Sequence, residues 1–165
     1  MGMRPKVKIG DIFRIKINSD AFVFGQIIAR AEGDFEYIVI FDLMIEGGKV
    51  PSFQELQNSN LLVLAQLSGG VNRNPKRENW EVVDNRPIIK ELKLPEYKVA
   101  IPNGWAVERW DRQILRVGNN QDVSELKFRK EYSPSLIEST IKAHFGFKEW
   151  LPYYDEILLV HRKIS

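Results

Sequence analysis

The sequence predicts a mainly β protein, α+β at most, built on a curled antiparallel sheet with added strands and one C-terminal helix near residues 134–145. Three observations predict it. Apolar residues recur with period two through the first 45 residues. Turn chemistry returns between short apolar runs as far as Phe128. One stretch, Ser133-Pro134 to Gly146, has the start and stop signals of a longer helix.

In Phe13-Arg14-Ile15-Lys16-Ile17, apolar and basic residues alternate and so point to opposite faces of a strand. Asn18-Ser19-Asp20 follows with short polar side chains that cap backbone groups in a turn. From Phe22 to Ala29 both alternating sets are apolar, Phe22/Phe24/Ile28 and Val23/Ile27/Ala29, which predicts a strand covered on both faces. After a turn at Gly33-Asp34, Phe35 to Phe41 reads as a third strand with Phe35, Tyr37, Val39 and Phe41 on one side. Strands joined by short turns form an antiparallel meander. Gly10 supplies a positive φ at the strand entrance, and Gly25, inside a strand, permits a bulge, a bend or close backbone approach. Small SH3-like barrels need such bends, because their strands curl around a core.

Ser52 and Glu55 stand three apart after Pro51 and predict a short capped helix to about Gln57. Leu61–Leu67 reads as a buried strand, Ser68–Asn79 as an exposed polar loop, and Trp80–Asp84 as a further strand ended by Arg86-Pro87. Beyond Lys90, short strands are expected at Tyr97–Ile101, Ala106–Trp110, Ile114–Val117 and Val123–Phe128, separated by Pro and Gly-Asn turns. Ser133 as N-cap, Pro134 at the first helical position and Gly146 past the end delimit the helix. Ile137, Ile141 and Phe145 give it one apolar face. Glu156–Val160 is apolar enough for a final strand.

A chain of 165 residues with no internal repeat or low-complexity linker is expected to be a single domain, residues 1–165. The absence of cysteine excludes disulfides, thiolate metal sites and a cysteine nucleophile. No apolar run approaches the ~20 residues that cross a bilayer, and no signal-type h-region opens the chain, so no membrane association and a cytoplasmic location are expected. A net charge of +2, from 24 basic and 22 acidic residues, makes nucleic acid an unlikely partner.

No catalytic site, metal site or cofactor is expected. The two histidines, His144 and His161, are too few for a three-histidine centre, and no HExxH, GxSxG, P-loop or EF-hand pattern occurs. Glu108 and Asp111 could in principle do acid–base work, but Arg109 and Arg112 flank them, and a solvated charged face is the simpler reading. Trp105 and Trp110 bracket Glu108-Arg109 and precede Arg112. Tryptophan and arginine concentrate at the energetic centres of interfaces, where large area joins a polar handle. Trp105, Arg109, Trp110 and Arg112 are therefore the candidate partner-binding residues, with Arg73, Lys76 and Arg77 as rim contacts. The competing reading places all four tryptophans in the core.

Lys8-Ile9-Gly10-Asp11-Ile12-Phe13-Arg14-Ile15, Phe22-Val23-Phe24-Gly25-Gln26-Ile27 and Trp80-Glu81-Val82-Val83 running to Pro87 together resemble the immunity protein 26 family of bacterial polymorphic-toxin systems. The resemblance covers about the first 45 residues and the Trp80–Pro87 stretch. It implies a mostly β cytoplasmic protein that binds and blocks a cognate bacterial toxin domain. The matching positions are glycines and apolar residues that set the fold rather than the contact surface. A nuclease toxin would favour local acidity, as at Asp34/Glu36, Asp42/Glu46 or Asp155/Glu156. The alternative reading is an SH3-like module that binds nucleic acid or a peptide, with a small hydrolase third. The oligomeric state is not legible.

Overall fold

The alternation of the first 45 residues folds as expected into three consecutive antiparallel strands, β1 (Asp11–Lys16), β2 (Ala21–Ala31) and β3 (Phe35–Glu46). The computed structural model describes residues 7–31, 35–68, 71 and 80–159; the expected Gly33-Asp34 turn and most of the Ser68–Asn79 loop lie outside them. Further strands are β4 (Leu61–Leu67), β5 (Trp80–Asn85), β6 (Tyr97–Ile101), β7 (Gly104–Glu108), β8 (Ile114–Val117) and the two-residue β9 (Glu131–Tyr132). They form a sheet of order β5-β1-β2-β3-β4-β9 and a second of order β6-β7-β8, a mainly β architecture. Two compact units result, one drawn from Met1–Lys90 and Tyr132–Ser165, the other from Glu91–Glu131.

The first unit buries both faces of its sheet. Phe13, Ile15, Val23, Ile27, Ile38 and Ile40 share one face with Ile137 and Ile141 of the helix α3 (Pro134–His144). Ile12, Phe24, Val39 and Phe41 share the other with Leu56 of a short helix, α1 (Phe53–Asn58), and with Ile89. Successive residues point to opposite faces, so the double apolar set of β2 is what a twice-covered strand requires. Both helices start as the sequence predicts. The Ser52 side chain accepts the Glu55 N–H at 3.1 Å, and the Ser133 side chain accepts the Leu136 N–H at 3.2 Å.

Gly25 is the close-approach site of this sheet. It pairs with Phe13 of β1 and Ile40 of β3, at a register break after Val23. A Cβ there would stand 2.6 Å from the Val39 carbonyl oxygen and 2.8 Å from Phe13 Cε2. The Phe13 ring, lying over that gap, stacks on Trp80 at 5.3 Å with planes 8° apart. Trp80 is buried and donates its indole N–H to Glu138 of α3 at 3.1 Å. For Trp80 the core reading holds.

Three sequence expectations change. Val123–Phe128 is not a strand: residues 120–125 form a helix, α2 (Asn120–Glu125), because Asn119 and Asp122 cap each other's backbone N–H groups at 2.9 Å. The strand expected to reach Trp110 ends at Glu108, where the chain turns into β8. Of the expected final strand Glu156–Val160, whose end Val160 lies outside the described residues, the described part holds one bridge, between Leu158 and Val63. Pro152–Glu156 winds into a 3-10 turn instead, with Pro152 pre-set for its first position.

Gly25→Ala is expected to destabilise the fold by about 1–3 kcal/mol, since a backbone carbonyl and a stacked ring must both give way. Urea unfolding measures it. A variant as stable as the parent would show that Phe13 and β3 relax without cost.

Candidate functional site

The Glu91–Glu131 unit is built from polar contacts around a small apolar centre. Tyr97 pairs with Glu108 and Ala100 with Trp105 across β6 and β7, while β8 joins the other side of β7. Ala106, Val107 and Glu108 are buried, whereas all four residues of β8 are exposed. The β7–β8 connection, Arg109-Trp110-Asp111-Arg112, is a closed loop. The Arg109 N–H donates to the Gln113 carbonyl at 2.8 Å, and the Arg112 N–H to the Arg109 carbonyl at 2.9 Å. Arg112 has φ 72°, a left-handed conformation that side chains other than glycine adopt at a cost.

Each arginine here has a carboxylate. Arg109 Nε donates to Asp111 Oδ1 at 2.9 Å and its Nη2 reaches Oδ2. Arg112 bonds Glu131 at 2.8 Å. Arg116 forks onto Asp122, with Nη2 2.7 Å from Oδ1 and Nη1 on Oδ2. Arg129 lies deepest. It donates to Glu108 Oε1 at 2.9 Å, to the Trp110 carbonyl at 2.8 Å and to the Arg109 carbonyl at 3.0 Å, with its guanidinium 4.5 Å from the Tyr97 ring centroid. The Arg109 guanidinium holds the Asp111 carboxyl down at about 2, and Arg116, helped by the Asn119 N–H, does the same for Asp122.

Arg109, Trp110 and Arg112 thus come together in one loop, with Trp110 half-buried. Trp105 does not join them. It is also half-buried, lies four residues back along β7, about 13 Å by strand rise, and tilts against Phe128 at 5.6 Å. Lys98 Nζ stands 4.8 Å from the Phe128 ring centroid and donates to the Val123 carbonyl at 2.7 Å. Arg73, Lys76 and Arg77 lie outside the described residues. Trp150, half-buried, packs against the core of the first unit. Sequence reasoning missed Arg129, Lys98 and Phe128, whose partners are distant in sequence. The one available signal was the aromatic–basic run Lys127-Phe128-Arg129-Lys130.

The carboxylates weighed for acid–base work are committed elsewhere: Glu108 is buried on Arg129, and a carboxylate held at about 2, as Asp111 is, accepts protons poorly at neutral pH. His144 Nε2 stands 3.1 Å from Asp42 Oδ1, and His161 lies outside the described residues. No group of three or more His, Cys, Asp or Glu side chains among the described residues could hold a metal ion. The local acidity considered for a basic toxin is scattered. Glu36 is buried and accepts the Val71 N–H at 3.1 Å, and Asp34 lies outside the described residues. Among the described residues, no helix is long and apolar enough to cross a membrane.

The class these residues define is a mainly β protein whose Gly10-Asp11, Phe24-Gly25-Gln26-Ile27 and Trp80–Pro87 stretches meet in one sheet, β5-β1-β2. The chain belongs to the immunity protein 26 family, whose model matches residues 8–111, from the approach to β1 into the Arg109–Arg112 loop. No curated protein and no solved structure matches the chain.

Asp111 and Asp122 have folded-state values depressed from 3.8 to about 2. Their ion pairs therefore contribute in full above about pH 4 and are lost as pH falls through about 2. Carboxyl-carbon NMR titration of the folded protein should place both midpoints near 2. Midpoints near the ordinary aspartate value would show that neither pair persists in solution.

Proposed function

We propose that the protein binds and neutralises a cognate bacterial toxin domain by protein–protein contact, in the cytoplasm of the cell that makes it. Membership of an immunity protein family supports the role. The observation that favours a particular surface is the closed Arg109–Arg112 loop, which gathers two arginines and a half-buried tryptophan on one turn. Such residues dominate binding energy where a rigid scaffold holds them in place. Arg109 and Trp110 are the anchors of this reading, Arg112 flanks them, and Trp105 belongs to a neighbouring aromatic patch with Phe128. Arg73, Lys76 and Arg77, outside the described residues, are proposed as further contacts whose charge speeds association. Inhibition by contact needs no reaction, cofactor or metal from this chain.

The test pairs the protein with the toxin domain encoded beside its gene. The two should form a complex, and co-expression should protect the cell. Trp110→Ala should weaken the complex by about 2 kcal/mol or more with the melting temperature nearly unchanged. A destabilised variant, or a stable one with full affinity, defeats the anchor role of Trp110. Absence of any complex or protection defeats the function itself, and binding of single-stranded nucleic acid or a peptide in its place would favour the modular alternative.

A further inference from the structure

The loop at the centre of the proposed function is held from within by a residue about twenty positions further along the chain. Arg129 sends three donors into one hairpin: Nε to the Glu108 carboxylate at 2.9 Å, Nη1 to the Trp110 carbonyl at 2.8 Å and Nη2 to the Arg109 carbonyl at 3.0 Å. Its side chain and that of Glu108 are each only 12% exposed. We infer that Arg129 is a positioning residue, fixing Arg109–Arg112 in the form the partner reads without itself forming the contact surface. The inference rests on the proposed function for its partner, and on the geometry for its action.

The chemistry selects arginine. A planar guanidinium offers several N–H donors in a fixed fork, so one group satisfies a carboxylate and two diverging carbonyls at once. A lysine ammonium keeps the charge opposite Glu108 but does not reproduce that fork. The loop needs the help, because Arg112 at φ 72° occupies a left-handed region that is strained for a residue with a side chain. Two loop carbonyls aimed at a buried cation select the closed form over alternatives in which Arg112 relaxes. The strand ladders of β6, β7 and β8 have their own backbone hydrogen bonds, and neither carbonyl that accepts from Arg129 belongs to a strand residue. Loss of Arg129 should therefore loosen the loop before it loosens the sheet. A binder whose competent form is only partly populated loses apparent affinity by that fraction.

The experiment is Arg129→Lys in the full chain, read by amide hydrogen exchange, melting temperature and affinity for the toxin domain encoded beside the gene. The Arg112 N–H, bonded to the Arg109 carbonyl, reports the loop, and the Gly118 N–H, bonded to the Trp105 carbonyl at 2.7 Å, reports the far end of the hairpin. Arg112 should exchange close to the rate of an unprotected amide, which puts the loop mostly in its open form, Gly118 should be unchanged, and affinity should fall about tenfold, by the inverse of the closed fraction left. Equal acceleration at both amides overturns the inference, because Arg129 would then hold the whole sheet. Unchanged exchange at Arg112 also overturns it. If Arg129→Lys does not fold, Glu108→Gln, which keeps shape and weakens the clamp, is judged by the same comparison. Trp110→Ala and Arg109→Ala separate this inference from the reading beneath it. If both keep full affinity, the loop is not the partner surface and both fall. If they lose affinity while a loosened Arg129→Lys keeps it, the positioning role alone falls.

Discussion

The fold of the larger unit depends on one absence, the missing side chain at Gly25. Because β2 has nothing there, the Phe13 ring of β1 lies across it and meets Trp80 of β5 face to face at 5.3 Å. Trp80 in turn hydrogen-bonds Glu138 of α3. Three strands and the covering helix are thus registered by a single stack. Interiors are packed too tightly for a Cβ to be absorbed where a backbone carbonyl already lies 2.6 Å away. The Phe24-Gly25-Gln26-Ile27 and Trp80–Pro87 stretches lie on the two sides of that contact, both within the residues that the family model matches.

Gln26, next in sequence, fixes the other end of the same strands. Its side chain is fully buried, with Nε2 3.1 Å from the carbonyls of Gly10, Arg86 and Pro87 and Oε1 accepting the Ile89 N–H at 3.0 Å. A buried amide is tolerated only when its donors and acceptors are used, and here they bind the irregular chain just past β5. Gly10, at φ 95°, lets the chain pass within reach: a Cβ there would meet the Arg86 carbonyl oxygen at 2.6 Å. Asp11 completes the junction, accepting from the Lys8 N–H at 2.8 Å and the Asn85 amide at 2.9 Å. This buried junction lies within residues 8–111, the part of the chain that the family model matches.

What the sequence revealed follows from the range of each interaction. β1 to β3 and α3 were legible because periodicity, turns and caps are local. Gly25 was legible as a close approach, but its partner Phe13 lies twelve residues earlier and no spacing rule names it. The stretch that holds α2 reads as a strand because Leu126 and Phe128 alternate with polar neighbours, while the Asn119/Asp122 capping pair that starts the helix is also present in the sequence. The Trp105–Arg112 cluster was visible as residue types. That Arg109, Trp110 and Arg112 share a loop which Trp105 does not enter depends on a strand end that alternation alone did not mark. The Arg129–Glu108 clamp was invisible, since a charge pair across twenty-one positions has no period.

The arginines of the smaller unit also say how this surface can work. Arg109, Arg112, Arg116 and Arg129 face Asp111, Glu131, Asp122 and Glu108, so each of these four guanidiniums is paired within the unit. The three pairs other than Arg129–Glu108 carry exposed guanidiniums and add little stability, so their main effect is on shape and field. They order long side chains that would otherwise lose entropy on binding, and they cancel the long-range potential that steers charged partners together. A chain with a net charge of +2 and neutralised arginines is poorly suited to capturing a basic toxin by field alone. Recognition by this loop would instead rest on contact: an oriented guanidinium, a tryptophan face, and a backbone turn held ready by Arg129. The family match ends at Asp111, inside that loop, so the closing residues Arg112 and Gln113, the exposed β8 and Arg129 itself all lie beyond it. The contacts that hold the turn thus join residues on both sides of that limit, Glu108 within the match and Arg129 beyond it.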